Sequence, residues 1–110
     1  MSLAQVRGGI PHVVRDDLVD DAGRIINLPF YCSHLIIRNQ GLNACKLYFT
    51  QADFDGDKNY VTVPVPSTTY PYGEWSGMVE TAAGNNSDVW VKALALKTTA
   101  IELVAFQRRG

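Results

Sequence analysis

Asp53, Asp55 and Asp57 have the spacing that comes nearest to a chemical site in this sequence. Alternating carboxylates supply the first oxygen ligands of the calcium loop that joins two helices in an EF-hand. The pattern then departs from that loop: Lys58 stands at the sixth position, where Gly makes the sharp turn, and Pro64 stands where a bidentate Glu is needed. A polar hairpin loop is therefore the favoured interpretation, and a weak, non-helical calcium site is the alternative.

Catalytic chemistry has little support in the sequence. His12 and His34 lie on different segments, and neither has a Cys, His or carboxylate at metal-ligand spacing. No Gly-x-Ser-x-Gly, phosphate-binding glycine loop or His-Glu-x-x-His occurs. Cys45 and His34 could form a nucleophile and base only if folding brought them together. We therefore expect a non-enzymatic protein without a cofactor.

The stretch Tyr70-Pro71-Tyr72-Gly73-Glu74-Trp75 concentrates aromatic side chains beside a carboxylate. Tyr and Trp carry much of the binding energy of protein interfaces, so Tyr70, Tyr72 and Trp75 are candidate partner contacts. The same group could form a flat platform for sugar rings, with Glu74 accepting hydrogen bonds from hydroxyls. A third interpretation is a long loop whose aromatic side chains fold back as a lid on the core.

Arginines lie near both ends of the chain. The candidate contacts to an acidic partner surface are Arg7, Arg15, Arg24, Arg108 and Arg109. The plainer interpretation of the last two is a solubilising terminus. Between Arg15 and Asp21 the spacing allows one helical turn or a solvated loop, and its four aspartates are typical of a solvated face.

The elements that must position these residues are strands. Ser87 to Arg109 alternates with period two on both sides of Lys97-Thr98-Thr99, which predicts a central hairpin. Cys32 to Asn39, Cys45 to Thr50 and Tyr60 to Val65 are further strands, the last at a sheet edge because Pro64 and Pro66 cannot donate to a ladder. About seven to eight short strands predict an all-β fold, an antiparallel β-sandwich with jelly-roll-like connections.

Length and composition predict one domain. The 110 residues divide into a flexible N-terminal arm, residues 1–14, and a single β-sandwich domain, residues 15–110. A net charge of −1 argues against nucleic-acid binding, and no apolar run approaches the roughly 20 residues that span a bilayer. No signal peptide is visible, so we expect synthesis in a cytoplasm. A hairpin turn at 39–43 would hold Cys32 and Cys45 roughly 20 Å apart, which predicts two buried, free thiols.

Four segments carry a resemblance to a known group of proteins. They are Leu35-Ile36-Ile37-Arg38-Asn39-Gln40-Gly41, Leu47-Tyr48-Phe49-Thr50, Tyr60-Val61-Thr62-Val63-Pro64 and the closing stretch Ile101 to Arg109. In strand pattern the chain, from about Asn27 onward, resembles the small all-β virion proteins of tailed bacteriophages, such as capsid decoration (cement) proteins. No signature residue comes with this resemblance.

The resemblance implies a protein of the virion, made in the cytoplasm of the host bacterium, that binds and stabilises the capsid exterior. The implied partners are the major capsid protein and further copies of the same chain in a homo-oligomer. Two alternatives stay open: a carbohydrate-binding module of a tail fibre or baseplate, and a head–tail joining or tail component.

Overall fold

The computed structural model describes residues 11–29, 32–67, 73–78 and 88–107. This part of the chain forms eight strands and one short helix, in the order β1 (His12–Val19), β2 (Arg24–Asn27), β3 (Cys32–Asn39), β4 (Cys45–Tyr48), α1 (Gln51–Gly56), β5 (Val61–Val63), β6 (Gly73–Met78), β7 (Asp88–Ala93) and β8 (Thr99–Gln107). Residues 1–10 of the predicted arm lie outside the described residues. Residues 12–14, also assigned to that arm, belong to β1.

The strands form two antiparallel sheets of four. Sheet A has the order β1-β8-β3-β6 and sheet B the order β2-β7-β4-β5. Strands pair from the two ends of the chain inward, β1 with β8, β2 with β7, β3 with β6 and β4 with β5. The chain is thus one long hairpin rolled up, and the pairs β3–β8 and β4–β7 close the two sheets. This is the strand order of a jelly roll, as predicted.

Period-two alternation places one face of each sheet in the core between them. The buried core residues come from both sheets: Val19, Ile26, Leu28, Cys32, Leu35, Ile37, Cys45, Leu47, Val63, Val89, Val91, Ile101, Leu103 and Ala105. Strand β5 lies at an edge of sheet B, directly before Pro64, which confirms the predicted edge position.

The predicted hairpin of the C-terminal strands is wrong. Strand β7 lies in sheet B and β8 in sheet A, so residues 94–98 cross from one sheet to the other. Both strands carry apolar residues in both registers. On the outer face of β7, Trp90 is buried near Phe54, and on the outer face of β8, Val104 is half-buried between its sheet neighbours Val13 and Ile36. Such a pattern identifies the strands but not their partners.

The hairpin used to separate the two cysteines is wrong for the same reason, since β3 and β4 lie in different sheets. The predicted outcome is confirmed on other grounds: Cys32 and Cys45 are both free and buried. Burial raises the pKa of the Cys45 thiol to about 12 and raises that of Cys32 as well. Both thiols therefore stay protonated and pack as small apolar groups.

Two segments predicted as loops are strands. Arg15 to Asp21 is mostly β1 rather than a helical turn or solvated loop, because pairing with β8 fixes its backbone as extended. The aromatic stretch predicted as a loop also enters a strand at Gly73, where β6 pairs with β3. Tertiary pairing overrides the turn-forming composition of both segments.

Candidate partner-binding surface

Three of the predicted contact residues lie in the described part of the chain: Arg15, Arg24 and Trp75. The other five, Arg7, Tyr70, Tyr72, Arg108 and Arg109, lie outside it. The two described arginines make contacts within the chain. Arg15 pairs with Glu102 at 2.7 Å, and Arg24 donates to the carbonyl of Leu18 at 3.1 Å and pairs with Asp16 at 3.4 Å. Both arginines therefore join neighbouring segments of the fold.

Trp75 points into the sandwich. It lies in β6 opposite Ile37, and its ring packs against Phe49 with 5.7 Å between the ring centroids. The ring also covers Gly77, where an added Cβ would lie 3.0 Å from it. This position agrees with the interpretation in which the aromatic side chain packs on the core, where Trp75 is partly buried.

Two of the three aspartates that suggested calcium, Asp53 and Asp57, bind different partners. Thr50 caps the N-terminus of α1 by accepting a hydrogen bond from the Asp53 backbone N–H, and Asp53 in turn accepts one from Asn59. Asp57 follows the helix in a left-handed conformation and binds Lys46. Within the described residues, no three His, Cys, Asp or Glu side chains converge as metal ligands. The connection between β4 and β5, predicted as a polar hairpin loop, contains the short helix α1.

Helix α1 covers the outer face of sheet B through one aromatic residue, Phe54. Its ring packs edge-on against Tyr48, with the centroids 5.4 Å apart, and stacks near Trp90. Tyr48 is 0% exposed although its register points away from the core. Its hydroxyl donates a hydrogen bond to Asp57 at 2.5 Å. This bond and the Lys46 ammonium hold the pKa of Asp57 below its usual range. Burial raises the pKa of the Tyr48 hydroxyl.

Two lysines stand directly opposite each other on this face, Lys46 in β4 and Lys92 in β7. Like charges so placed repel, and Asp57 at 3.1 Å from Lys46 offsets part of that repulsion. The Lys92 ammonium lies 5.3 Å from the centre of the Phe54 ring. A polar hollow of about 210 Å³ beside them is lined by the two lysines, Asp57 and Asp21, so its positive and negative charges balance.

The most exposed large apolar side chains of the described residues lie at one end of the sandwich. We call this end, formed by residues 20–23, 40–44 and 94–98, the loop end. Leu42 and Leu96, in two of these connections, are each 92% exposed. Single exposed leucines are ordinary on a protein surface, but these two stand in loops held firmly by hydrogen bonds.

Leu96 is held in an uncommon backbone conformation. Its φ is +62°, and the Lys97 N–H donates to the Leu94 carbonyl, so Leu96 occupies the third position of a β-turn. Turns with positive φ at that position favour Gly or Asn there. The Asp21 carboxylate accepts a hydrogen bond from the Leu96 N–H at 2.9 Å and so ties the turn to the neighbouring connection. The fold thus presents a leucine where a glycine would be less strained.

Leu42 is presented by a second clamped loop. The buried Asn39 donates to the Asn43 carbonyl at 2.7 Å and accepts from the Gly41 N–H at 3.0 Å and the Thr99 hydroxyl at 2.6 Å. Asn43 donates to the Thr98 carbonyl, which joins the loop to the one that carries Leu96. A Cβ at position 41 would meet the Thr99 hydroxyl at 2.1 Å, so only Gly fits there.

The sequence contained one signal for this surface that our interpretation passed over. Leu42 lies inside the turn signal Asn39-Gln40-Gly41-Leu42-Asn43, where apolar residues are not expected. Leu96 gave no such signal, because it continues the alternation of β7. Its exposure follows from the chain leaving sheet B at Ala93, which only the tertiary structure shows.

Comparisons with protein-family models, with curated proteins and with solved structures found no match to this chain. In the described residues, no helix is both long and apolar enough to cross a membrane.

Proposed function

We propose that this chain is a non-enzymatic virion protein that binds the exterior of a bacteriophage capsid and stabilises it. The observation that carries the proposal is the loop end, where Leu42 and Leu96 project from hydrogen-bonded loops. Apolar side chains presented in this way suit insertion into pockets of a protein partner. The capsid as that partner comes from the resemblance of the strand pattern to decoration proteins.

The fold and the loop end support binding rather than catalysis. Jelly rolls recur in viral capsid and lectin domains, an analogy at the level of fold only. The connections at the loop end are tied together by Asp21 and Asn43, so little order must be gained on binding. On a symmetric shell, many copies of a modest contact would sum to a firm association.

The first test is co-sedimentation of the purified chain with capsids assembled from the major capsid protein encoded beside its gene. We expect binding to the shells, and we expect Leu42→Ser to weaken it without changing thermal stability. Ile25→Ser is the matched control, because Ile25 is also an exposed aliphatic residue but lies on the outer face of sheet B. Absence of a capsid or portal gene nearby, or equal binding by all three proteins, would count against the proposal.

A carbohydrate-binding module is the second candidate, and the polar hollow on sheet B favours it. Carboxylates and ammonium groups that can bind hydroxyls line this hollow. The ring of the exposed Tyr60 lies nearby, with its centroid 4.6 Å from the Lys46 ammonium. Because Trp75 packs inward, the informative variant on a glycan array is Lys92→Ala. Silence of the wild-type chain across bacterial surface polysaccharides would dispose of this candidate.

A further inference from the structure

The outer face of sheet A carries a row of four alternating charges. Arg15 in β1, Glu102 in β8, Arg38 in β3 and Glu74 in β6 are register neighbours across the whole sheet. Adjacent members form ion pairs at 2.7, 3.4 and 3.2 Å. Glu102, between two arginines, is only 8% exposed. The row therefore reads plus, minus, plus, minus from one edge of the sheet to the other.

An apolar band lies beside this row. Val13, Val104 and Ile36 are neighbours in the next register row, and Phe106 packs against His34 in the row beyond, at 5.8 Å between ring centroids. Val13 is 50% exposed and the others are partly exposed. Helix α1 packs on sheet B, and no described element packs on this face. A sheet face with an apolar band bordered by fixed charges is suited to packing against another sheet.

We propose that two copies of this chain associate through the outer faces of sheet A, related by a twofold axis parallel to the strands. Such an axis reverses the order of the strands across the face but does not change the position of a residue along the strand direction. Each row of one copy therefore faces the same row of the other. A row of four alternating charges then meets its own complement, because Arg15 faces Glu74 of the second copy and Glu102 faces Arg38. In the next row, Ile36 faces Val104 of the second copy. Because the axis is twofold, each of these contacts between the two copies occurs twice. An isologous dimer requires such a self-complementary surface.

The size of the face sets the strength to be expected. At about 4.8 Å between strands and 3.3 Å per residue, four strands and the seven residues of β8 from Ala100 to Phe106 measure roughly 19 by 23 Å. Two such faces bury about 900 Å² in projection, and somewhat more with side-chain relief, which is near the lower limit of specific interfaces. The dimer is therefore a weak one that forms as concentration rises.

The axis also determines where the loop ends point. A rotation about an axis parallel to the strands leaves the direction along the strands unchanged, so both loop ends face the same way. Leu42 and Leu96 of the two copies would then approach one surface together, and the dimer would bind it bivalently. The dimer itself does not rest on the identity of that surface.

Sedimentation velocity over about 1 to 500 μM tests the proposal. We expect the mass to rise from 12.1 kDa toward twice that value. Ile36→Lys, at an outward-facing position, should leave the chain folded and monomeric. Glu74→Arg places like charges opposite Arg15 at two symmetric contacts, and we expect it to weaken the dimer about 10-fold. Circular dichroism and thermal melts check that each variant folds.

The decisive variant combines Glu74→Arg with Arg15→Glu. It restores opposite charges between the two copies, whereas within each copy the new residues face like charges on Glu102 and Arg38. Recovery of the dimer therefore identifies the facing pair and not the ion-pair row of one sheet. A wild-type chain that stays monomeric throughout, a dimer indifferent to Ile36→Lys, or a double variant without recovery would each overturn the proposal. Capsid binding by the Ile36→Lys monomer would support the proposed function independently of the outcome for the dimer.

Discussion

Replacing Leu96 by glycine separates stability from binding more cleanly than any other change at the loop end. Leu96 has a φ of +62°. This conformation costs a residue with a side chain about 1 to 2 kcal/mol, while glycine costs about 0.5 to 1 kcal/mol in unfolded-state entropy. Because Leu96 is 92% exposed, no burial is lost. We expect Leu96→Gly to leave the free energy of unfolding unchanged or to raise it by up to about 1.5 kcal/mol.

Binding should change in the opposite direction. If a partner pocket buries the leucine, its removal forfeits about 1.5 to 3 kcal/mol of transfer free energy. That loss raises the dissociation constant roughly 10- to 150-fold. A purely structural role for Leu96 predicts no such loss, since the turn is better suited to glycine.

Urea denaturation measures the free energy of unfolding, and co-sedimentation with capsids measures binding. Ile25→Ser serves again as the control for the loss of an exposed aliphatic side chain. The reasoning is refuted if Leu96→Gly binds capsids as tightly as the wild-type chain. It is equally refuted if the variant is destabilised by more than about 1 kcal/mol, because the turn would then depend on the leucine.

Three further predictions concern other parts of the chain. Deletion of Met1–Gly9 should leave the thermal melt intact, since β1 begins at His12, but should weaken co-sedimentation with capsids; unchanged binding would exclude the arm as a contact. At about pH 8, iodoacetamide should not modify Cys45 in the native chain, whose burial raises its pKa to about 12, whereas mass spectrometry should detect modification after unfolding. The pKa of Asp57 is lowered by Tyr48 and Lys46, so its contribution to stability is present above the ordinary Asp pKa of about 3.9 and is lost as pH falls through the lowered value. The gap in melting temperature between the wild-type chain and Asp57→Asn should therefore close on acidification below about pH 4, and a constant gap would contradict this.

The positions of most strands follow from local pattern. Cys45 and Leu47 face the core as their alternation predicts, and Val61 and Val63 do the same in β5. Pro64 marks an edge because a residue without an N–H cannot sit within a ladder. These features depend on neighbouring residues alone, so reasoning from the sequence found them.

The outer face of sheet B shows where local pattern was insufficient. The alternation of β4 places Tyr48 on the outward side, but Phe54 of the short helix covers it, and Tyr48 is buried. The polar segment around Phe54 favoured a plain loop, and a single aromatic residue within it decided the burial of its neighbour. Such coverage depends on where the chain returns after β4, which no alternation records.

The sequence by itself determined the class of fold, because an extended backbone buries every second side chain. This alternation is visible in consecutive residues of the sequence. Only the tertiary structure decided which strands pair and which residues meet the solvent. Strands β7 and β8 are neighbours in the chain but lie in different sheets, since pairing depends on how all eight strands together bury their apolar faces. The exposure of Leu96 and the alternating row from Arg15 to Glu74 arise from that long-range pairing.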